Sequence, residues 1–178
     1  MAVSSRQPIR TRVAIVGAGP AGMVLAIELG RRGVPCVLID EDEAPPPFPK
    51  ANATTARSME HFRRLGFSSR IRALGLPADF PQDIAYFTRY ATHELARLTG
   101  LTRAEAQHRR AAHDDRWPTP EPLHRCQQML IEPVLLDEVR RHRAISLQLG
   151  TRVHEVEASE HGGAVIGERA SDGQAVRI

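Results

Sequence analysis

Residues 13–24, Val13-Ala14-Ile15-Val16-Gly17-Ala18-Gly19-Pro20-Ala21-Gly22-Met23-Val24, decide how this chain is read. The run up to Val16 is short, apolar and closed by glycine, the pattern of a buried parallel strand. From Pro20 to Arg32, Met23, Val24 and Ile27 recur at helical spacing, with Ala21, Ala26 and Leu29 filling in. Gly33 is placed to cap that helix in the left-handed conformation. Val37-Leu38-Ile39 is a second apolar strand, so residues 12–40 predict a βαβ unit.

The turn between the first strand and the helix is a GxGxxG. Between a strand and a helix its spacing has a mechanism. Gly17 permits the tight turn, Gly19 lacks the Cβ that would hold a diphosphate away from the backbone, and Gly22 lets the helix lie close to the strand. The first-turn amides of Ala21 and Gly22 and the positive helix end then face an anion. Pro20 at the first helical position has its φ already set. Asp40 ends the second strand, 23 positions after Gly17. A carboxylate there accepts hydrogen bonds from both ribose hydroxyls of an adenosine and repels a 2′-phosphate. The pattern predicts a dinucleotide and does not choose between FAD and NAD.

The rest of the composition narrows the class. The chain has 178 residues and 19.7 kDa, enough for one domain or slightly more. With 42% hydrophobic and 25% charged residues, disorder and collagen-like repeats are excluded for the whole chain. A net charge of +3 is too small to argue for nucleic acid, and Arg140-Arg141-His142-Arg143 reads as a solvated helix end. Cys36 and Cys126 have no ligand spacing, so neither a metal site nor a disulfide is expected, and both read as reduced thiols of a cytoplasmic protein. The uncharged run Val13–Ile27 is cut by the glycine loop and ends at Glu28, which fits neither a signal peptide nor a membrane span.

Residues 1–11 are expected to be disordered, and the proline-rich 43–49 to be irregular. Thr54 or Thr55 is expected to cap a helix carrying Met59, Phe62 and Leu65 and ending at Gly66, with a shorter helix over 68–74. Ile84–Tyr90 reads as a strand, 100–116 as a polar helix, and 91–122 as a variable polar insert. A helix follows over 128–142, with Pro133 tolerated in its first turn if it begins near Met129. Ile145–Leu149, Arg152–Ala158 and Ala164–Gly167 read as strands, with turns at Gly150 and Gly162-Gly163. A last strand runs to Ile178 after Asp172-Gly173, so the chain is expected to be truncated at its C-terminus.

Val13–Asp40, Lys50–Gly66, Asp83–Phe87 and Arg125–Pro133 together resemble, in order and across about residues 12–178, the class A FAD-dependent aromatic hydroxylases of the para-hydroxybenzoate hydroxylase fold, in particular the phenol and chlorophenol monooxygenase branch. The resemblance implies an α/β, Rossmann-like, three-layer FAD-binding domain with a parallel sheet and a small additional β-sheet, of which residues 12–178 are the N-terminal portion. It implies FAD on Gly17, Gly19, Pro20, Ala21, Gly22 and Asp40, with Glu41 beside them where the family often has a basic residue. Lys50 stands where the family usually has arginine, Arg57 at a family arginine position, and Gln128 where a glutamine contacts the FAD chain; Val153 lies on a strand passing the adenine. The alternative reading of Lys50 and Arg57 is as solvated charges, and of Gln128 as a helix-start capping group. The implied reaction hydroxylates a small aromatic substrate with O2, electrons coming from NAD(P)H. The second glycine-aspartate signature, the substrate sheet and the catalytic residues would follow Ile178, so this chain alone is expected to be catalytically incomplete. The other readings are a non-catalytic dinucleotide-binding fragment and an NAD-dependent Rossmann oxidoreductase.

Overall fold

Cys36 to Ile39 are buried at all four positions, and a parallel sheet is built around them. The computed structural model describes residues 8–48, 50–89, 92–111 and 119–178; the expectation of disorder over 1–11 falls largely outside them. The chain forms two units, one of Met1–Phe48 with Glu132–Ile178 and the other of Pro49–Ile131.

In the first unit, β1 (Val13–Val16), β2 (Cys36–Ile39) and β5 (Ile145–Gln148) form the parallel sheet in the order β1-β2-β5. Val13 lies opposite Cys36, and Cys36 opposite Ile145. A middle parallel strand is covered on both faces, so β2 is continuously apolar rather than alternating. The crossover helix α1 (Pro20–Arg31) buries Met23, Ala26 and Ile27. Gly33 follows it at φ +68°, a left-handed position that favours glycine. An antiparallel meander of β6 (Thr151–Ser159), β7 (Gly162–Arg169) and β8 (Ala175–Arg177) packs Val153 and Val165 against Val37 and Ile39.

In the second unit, α2 (Ala56–Leu65) and α3 (Ser68–Arg72) bury Met59, Phe62, Leu65 and Ile71. The Phe62 and Phe67 rings pack with centroids 5.3 Å apart. Thr55 is the cap of α2, its Oγ1 accepting the Ser58 amide at 3.3 Å, and Gly66 closes the helix at φ +94°. β3 (Ile84–Phe87) pairs antiparallel with β4 (Glu94–Leu98). α4 (Arg103–Ala111) opens with a capping box: the Glu105 amide donates to Thr102 Oγ1 at 3.2 Å, and the Thr102 amide to Glu105 Oε2 at 2.8 Å. α5 (Gln128–Arg140) starts in this unit and continues into the first.

Four expectations change. Glu94–Leu98 is a strand inside the segment read as a polar insert; all five residues are exposed, so pairing with β3, not an apolar face, defines it. The polar helix starts at Arg103 rather than at residue 100 and is described as far as Ala111, residues 112–118 lying outside the described ones. Pro133 lies inside α5 rather than in its first turn, because the helix begins at Gln128. It lacks the amide for the carbonyl four residues back, and burial of Leu135, Leu136 and Val139 holds the helix regardless. Gly162 and Gly163 open β7; the turn is at Glu160 and His161. Tyr90, expected to end β3, is outside the described residues.

Candidate functional site

Gly17 leaves β1 at φ +103° while its amide still donates to the Ile39 carbonyl at 2.8 Å. The loop therefore starts inside the sheet and turns out of it in one residue, at a backbone conformation L side chains rarely adopt. Gly22 sits against that turn: a Cβ there would be 1.9 Å from the Gly17 carbonyl oxygen. Any side chain would push α1 off the loop. Gly19 is the helix cap, with φ −70° and ψ 179°. A Cβ on it would meet no atom of the described residues within 4 Å. Its Cα thus faces open space, at a helix start with no capping side chain and no acidic residue in the first turn, Pro20 to Met23. The amides of Ala21 and Gly22 belong to that turn, and the backbone cradle suits an anion.

Asp40 closes the cradle. Its Oδ2 accepts the Ala18 amide at 2.5 Å and its Oδ1 the Asp42 amide at 2.9 Å. The carboxylate points at the glycine loop and fixes it before any ligand arrives. A carboxylate has about four acceptor sites, so two remain for hydroxyl donors. The structure therefore brings Gly17, Gly19, Pro20, Ala21, Gly22 and Asp40 together, and the cradle and its acid fit the diphosphate and ribose of a dinucleotide. Glu41 faces elsewhere: its Oε2 accepts from Arg152 Nε at 3.0 Å. Val153 spends its side chain in the apolar cluster with Val37, Ile39 and Val165, leaving only its backbone for a ligand.

The other three candidates lie in the second unit. Lys50 is exposed. The neighbouring Ala51 carbonyl accepts the Gln128 amide at 2.8 Å, so the start of α5 is stitched to the Lys50 loop. Arg57 is 80% exposed and its Nη1 donates to Glu60 Oε2 at 2.9 Å on its own helix. This unit also holds a cavity of about 520 Å³ that Leu76, Phe80, Arg125 and Leu130 help to line.

Two features escaped the sequence reading. Arg152 carries no motif, and only strand register brings it to Glu41. His124 is 1% exposed, and its Nε2 lies 3.0 Å from the Ile71 carbonyl, which can only accept. Burial first, then Arg72 and Arg103, pushes its pKa below the ordinary value. It stays neutral and holds α3, so it is a packing group rather than an acid–base one. Burial likewise raises the Cys36 and Cys126 thiols. Among the described residues no helix is long and apolar enough to cross a membrane, and no group of three metal-binding side chains occurs.

The family described as FAD binding domain matches residues 10–178. The chain is similar to the 2,4-dichlorophenol 6-monooxygenase of Delftia acidovorans, 30% identical over 138 residues that cover 76% of this chain and 22% of that protein. It is similar to the phenol 2-monooxygenase of a Pseudomonas species, 31% identical over 131 residues covering 72% of this chain and 20% of that protein. Among solved structures, the flavin-dependent monooxygenase PieE in complex with FAD and substrate matches with a TM-score of 0.81 and 29% identity, over 96% of this chain and 29% of that one. The chain therefore spans less than a third of the length of these relatives.

Proposed function

This chain belongs to the FAD binding domain family, and from that premise we propose that it is the FAD-binding part of a flavoprotein monooxygenase hydroxylating phenolic or similar small aromatic substrates with NAD(P)H and O2. The single observation that carries the reading is the bare cradle of Gly17 to Gly22 with the Asp40 carboxylate bonded into it. The diphosphate of FAD would lie on the amides of Gly19, Ala21 and Gly22, where Pro20 presets the helix and the glycines leave the backbone open. Asp40 would take the adenosine ribose with the acceptor sites that Ala18 and Asp42 leave. Lys50 would add charge near the diphosphate, as a point cation without the fork of arginine. Gln128, at the start of α5, would offer its amide to the FAD chain, and Arg57 would exchange its Glu60 partner for the cofactor. Bound FAD supplies the redox chemistry; these residues supply position and polarity.

The same acids separate cofactors. Asp40, Glu41 and Asp42 are consecutive, and a 2′-phosphate beside them is repelled. The site would thus take FAD in preference to NADP, with NAD(P)H serving as reductant elsewhere in the full-length enzyme.

The test is to purify the protein, record its visible spectrum, and titrate FAD and NAD in parallel. Bound or tightly rebinding flavin is the expected result. Affinity for NAD with none for FAD would replace this reading by a nicotinamide-dependent oxidoreductase. With phenols, FAD and NADPH, the 178-residue chain alone is expected to give no hydroxylated product above the uncoupled background. Product in that assay would place the catalytic groups inside this chain.

A further inference from the structure

The second unit gathers more positive charge than it neutralises. Arg72 on α3 and Arg103 on α4 lie together, Arg103 Nη1 donating to the Arg72 carbonyl at 3.0 Å. Burial and then the Arg72 charge hold the Arg103 pKa below its ordinary value. One carboxylate answers them: Glu121 Oε2 accepts Arg72 Nε at 3.2 Å and Nη2 at 2.6 Å, and Glu121 Oε1 lies 3.6 Å from Arg63 Nη1 on α2. Glu60 is the one acid of α2 and Glu105 the one acid of α4. Both are engaged, Glu60 by Arg57 and the Thr119 hydroxyl, Glu105 by the Thr102 amide. His124, beside the two arginines, is held neutral and adds no counter-charge. Three guanidiniums thus share a cluster with a single carboxylate. Two of their nitrogens, Arg72 Nη1 and Arg103 Nε, are buried with no acceptor among the described residues. A buried donor on a cation is costly to leave unpaired.

Arg63 and Arg72 also line a cavity of about 260 Å³, together with the Ser68 and Ser69 hydroxyls, the Gln107 amide and Glu121. All of these except Glu121 can donate a hydrogen bond. The chemistry selects the occupant. An apolar ligand would leave the donors unpaired, and a metal cation would face the guanidiniums. The oxygens of a phosphate, sulfate or carboxylate match a guanidinium fork. The volume lies below the range of about 300–1,000 Å³ that takes a drug-sized ligand, so the anion is small. We propose that this cavity is a structural anion site for a free oxyanion of the size of inorganic phosphate, which takes donors that Glu121 leaves and ties α2, α3 and α4 to the segment at Glu121. The site lies wholly within the second unit and is independent of the dinucleotide reading.

Calorimetric titration with sodium phosphate, at an ionic strength held constant with sodium chloride, tests this. The wild type should show saturable binding, with a rise in melting temperature that follows the same saturation. Arg72 is too buried for a clean variant, so the test uses Arg63→Gln, whose side chain is 50% exposed, and Ser69→Ala, also exposed. Arg63→Gln should weaken phosphate about three- to tenfold, the loss of one partly exposed charge-assisted hydrogen bond, while its melting temperature in chloride stays near that of the wild type. Arg63→Lys should recover part of that loss, and Ser69→Ala should weaken phosphate about two- to threefold. Phosphate can also reach the glycine loop, so the titrations are repeated in Gly19→Asp, where that loop carries a negative charge. The Arg63-dependent binding should persist there unchanged. The proposal is overturned if the wild type binds no phosphate, or if stabilisation rises with phosphate without saturating, as a general salt effect does. It is overturned equally if binding falls in Gly19→Asp and not in Arg63→Gln, which would place the ion on the glycine loop.

Discussion

The helices α1 and α2 begin in opposite ways. α2 satisfies its own start: Thr55 turns its hydroxyl onto the Ser58 amide. α1 starts from Gly19, which has no side chain to turn, behind a loop tied by the Ala18 amide to the Asp40 carboxylate. The same contrast runs through the two units. Around the glycine loop, polar order comes from main-chain amides and one carboxylate, Asp40. Around Glu121 it comes from side chains: Arg72 donates to Glu121 Oε2 at 2.6 Å and to the Pro122 carbonyl at 2.6 Å, and Arg103 donates to the Arg72 carbonyl at 3.0 Å. A constellation held by its own side chains is architecture. At the glycine loop a Cβ on Gly19 would meet no atom of the described residues within 4 Å, which leaves room for a ligand.

The largest expected effect comes from breaking the side-chain cluster. Glu121 is 7% exposed and pairs with Arg72, whose side chain is 11% exposed. Glu121→Ala leaves that guanidinium buried without its partner and should destabilise the fold by about 3–5 kcal/mol, read by denaturant unfolding. A loss below about 1 kcal/mol would mean the pair is solvated like an ordinary surface bridge.

Converting the open start into a closed one comes next. Gly19→Asp gives α1 a side-chain cap of its own and puts a negative charge in the cradle. FAD affinity should fall about a hundredfold, the equivalent of one or two charge-assisted hydrogen bonds, while the melting temperature holds or rises. Unchanged FAD affinity would show that the diphosphate sits elsewhere. The reverse experiment is smaller: Thr55→Ala uncaps α2 and should cost about 1 kcal/mol of stability, with FAD affinity unaltered.

The smallest effect is a slope. His124 is held neutral, its pKa in the fold lowered from an ordinary value of 6.5. The unfolded chain then binds the proton more readily than the folded one. Stability from this residue is complete above pH 6.5 and is lost as pH falls through 6.5 towards the lowered value. His124→Gln should flatten that part of the stability–pH curve, and an unchanged slope would remove the residue from the account.

The contrast also explains what the sequence disclosed. The glycine loop, α1, β2 and Asp40 span 28 consecutive residues, Val13 to Asp40, and every constraint on them is local: a left-handed turn at Gly17, a close approach at Gly22, a preset φ at Pro20. Local constraints leave marks in residue type. The Arg72–Glu121 pair is separated by 49 positions and Arg152–Glu41 by 111, and a surface arginine and a paired one look alike in a sequence. β4 was hidden for the same reason, since Glu94–Leu98 is a strand only through its partner β3. Pro133 shows the converse: its local rule places it at a helix start, and the packing of Leu135, Leu136 and Val139 carries the helix through it.

The central claim is that a dinucleotide diphosphate rests on the backbone of Gly17 to Gly22 beside Asp40. Amide-resolved NMR during titration with ADP addresses those groups one at a time. The account predicts that the largest shifts fall on the amides of Gly19, Ala21 and Gly22, with smaller ones at Ala18 and Asp42, whose hydrogens are bound to Asp40. Saturable binding that leaves those amides unmoved and shifts another part of the chain would contradict it.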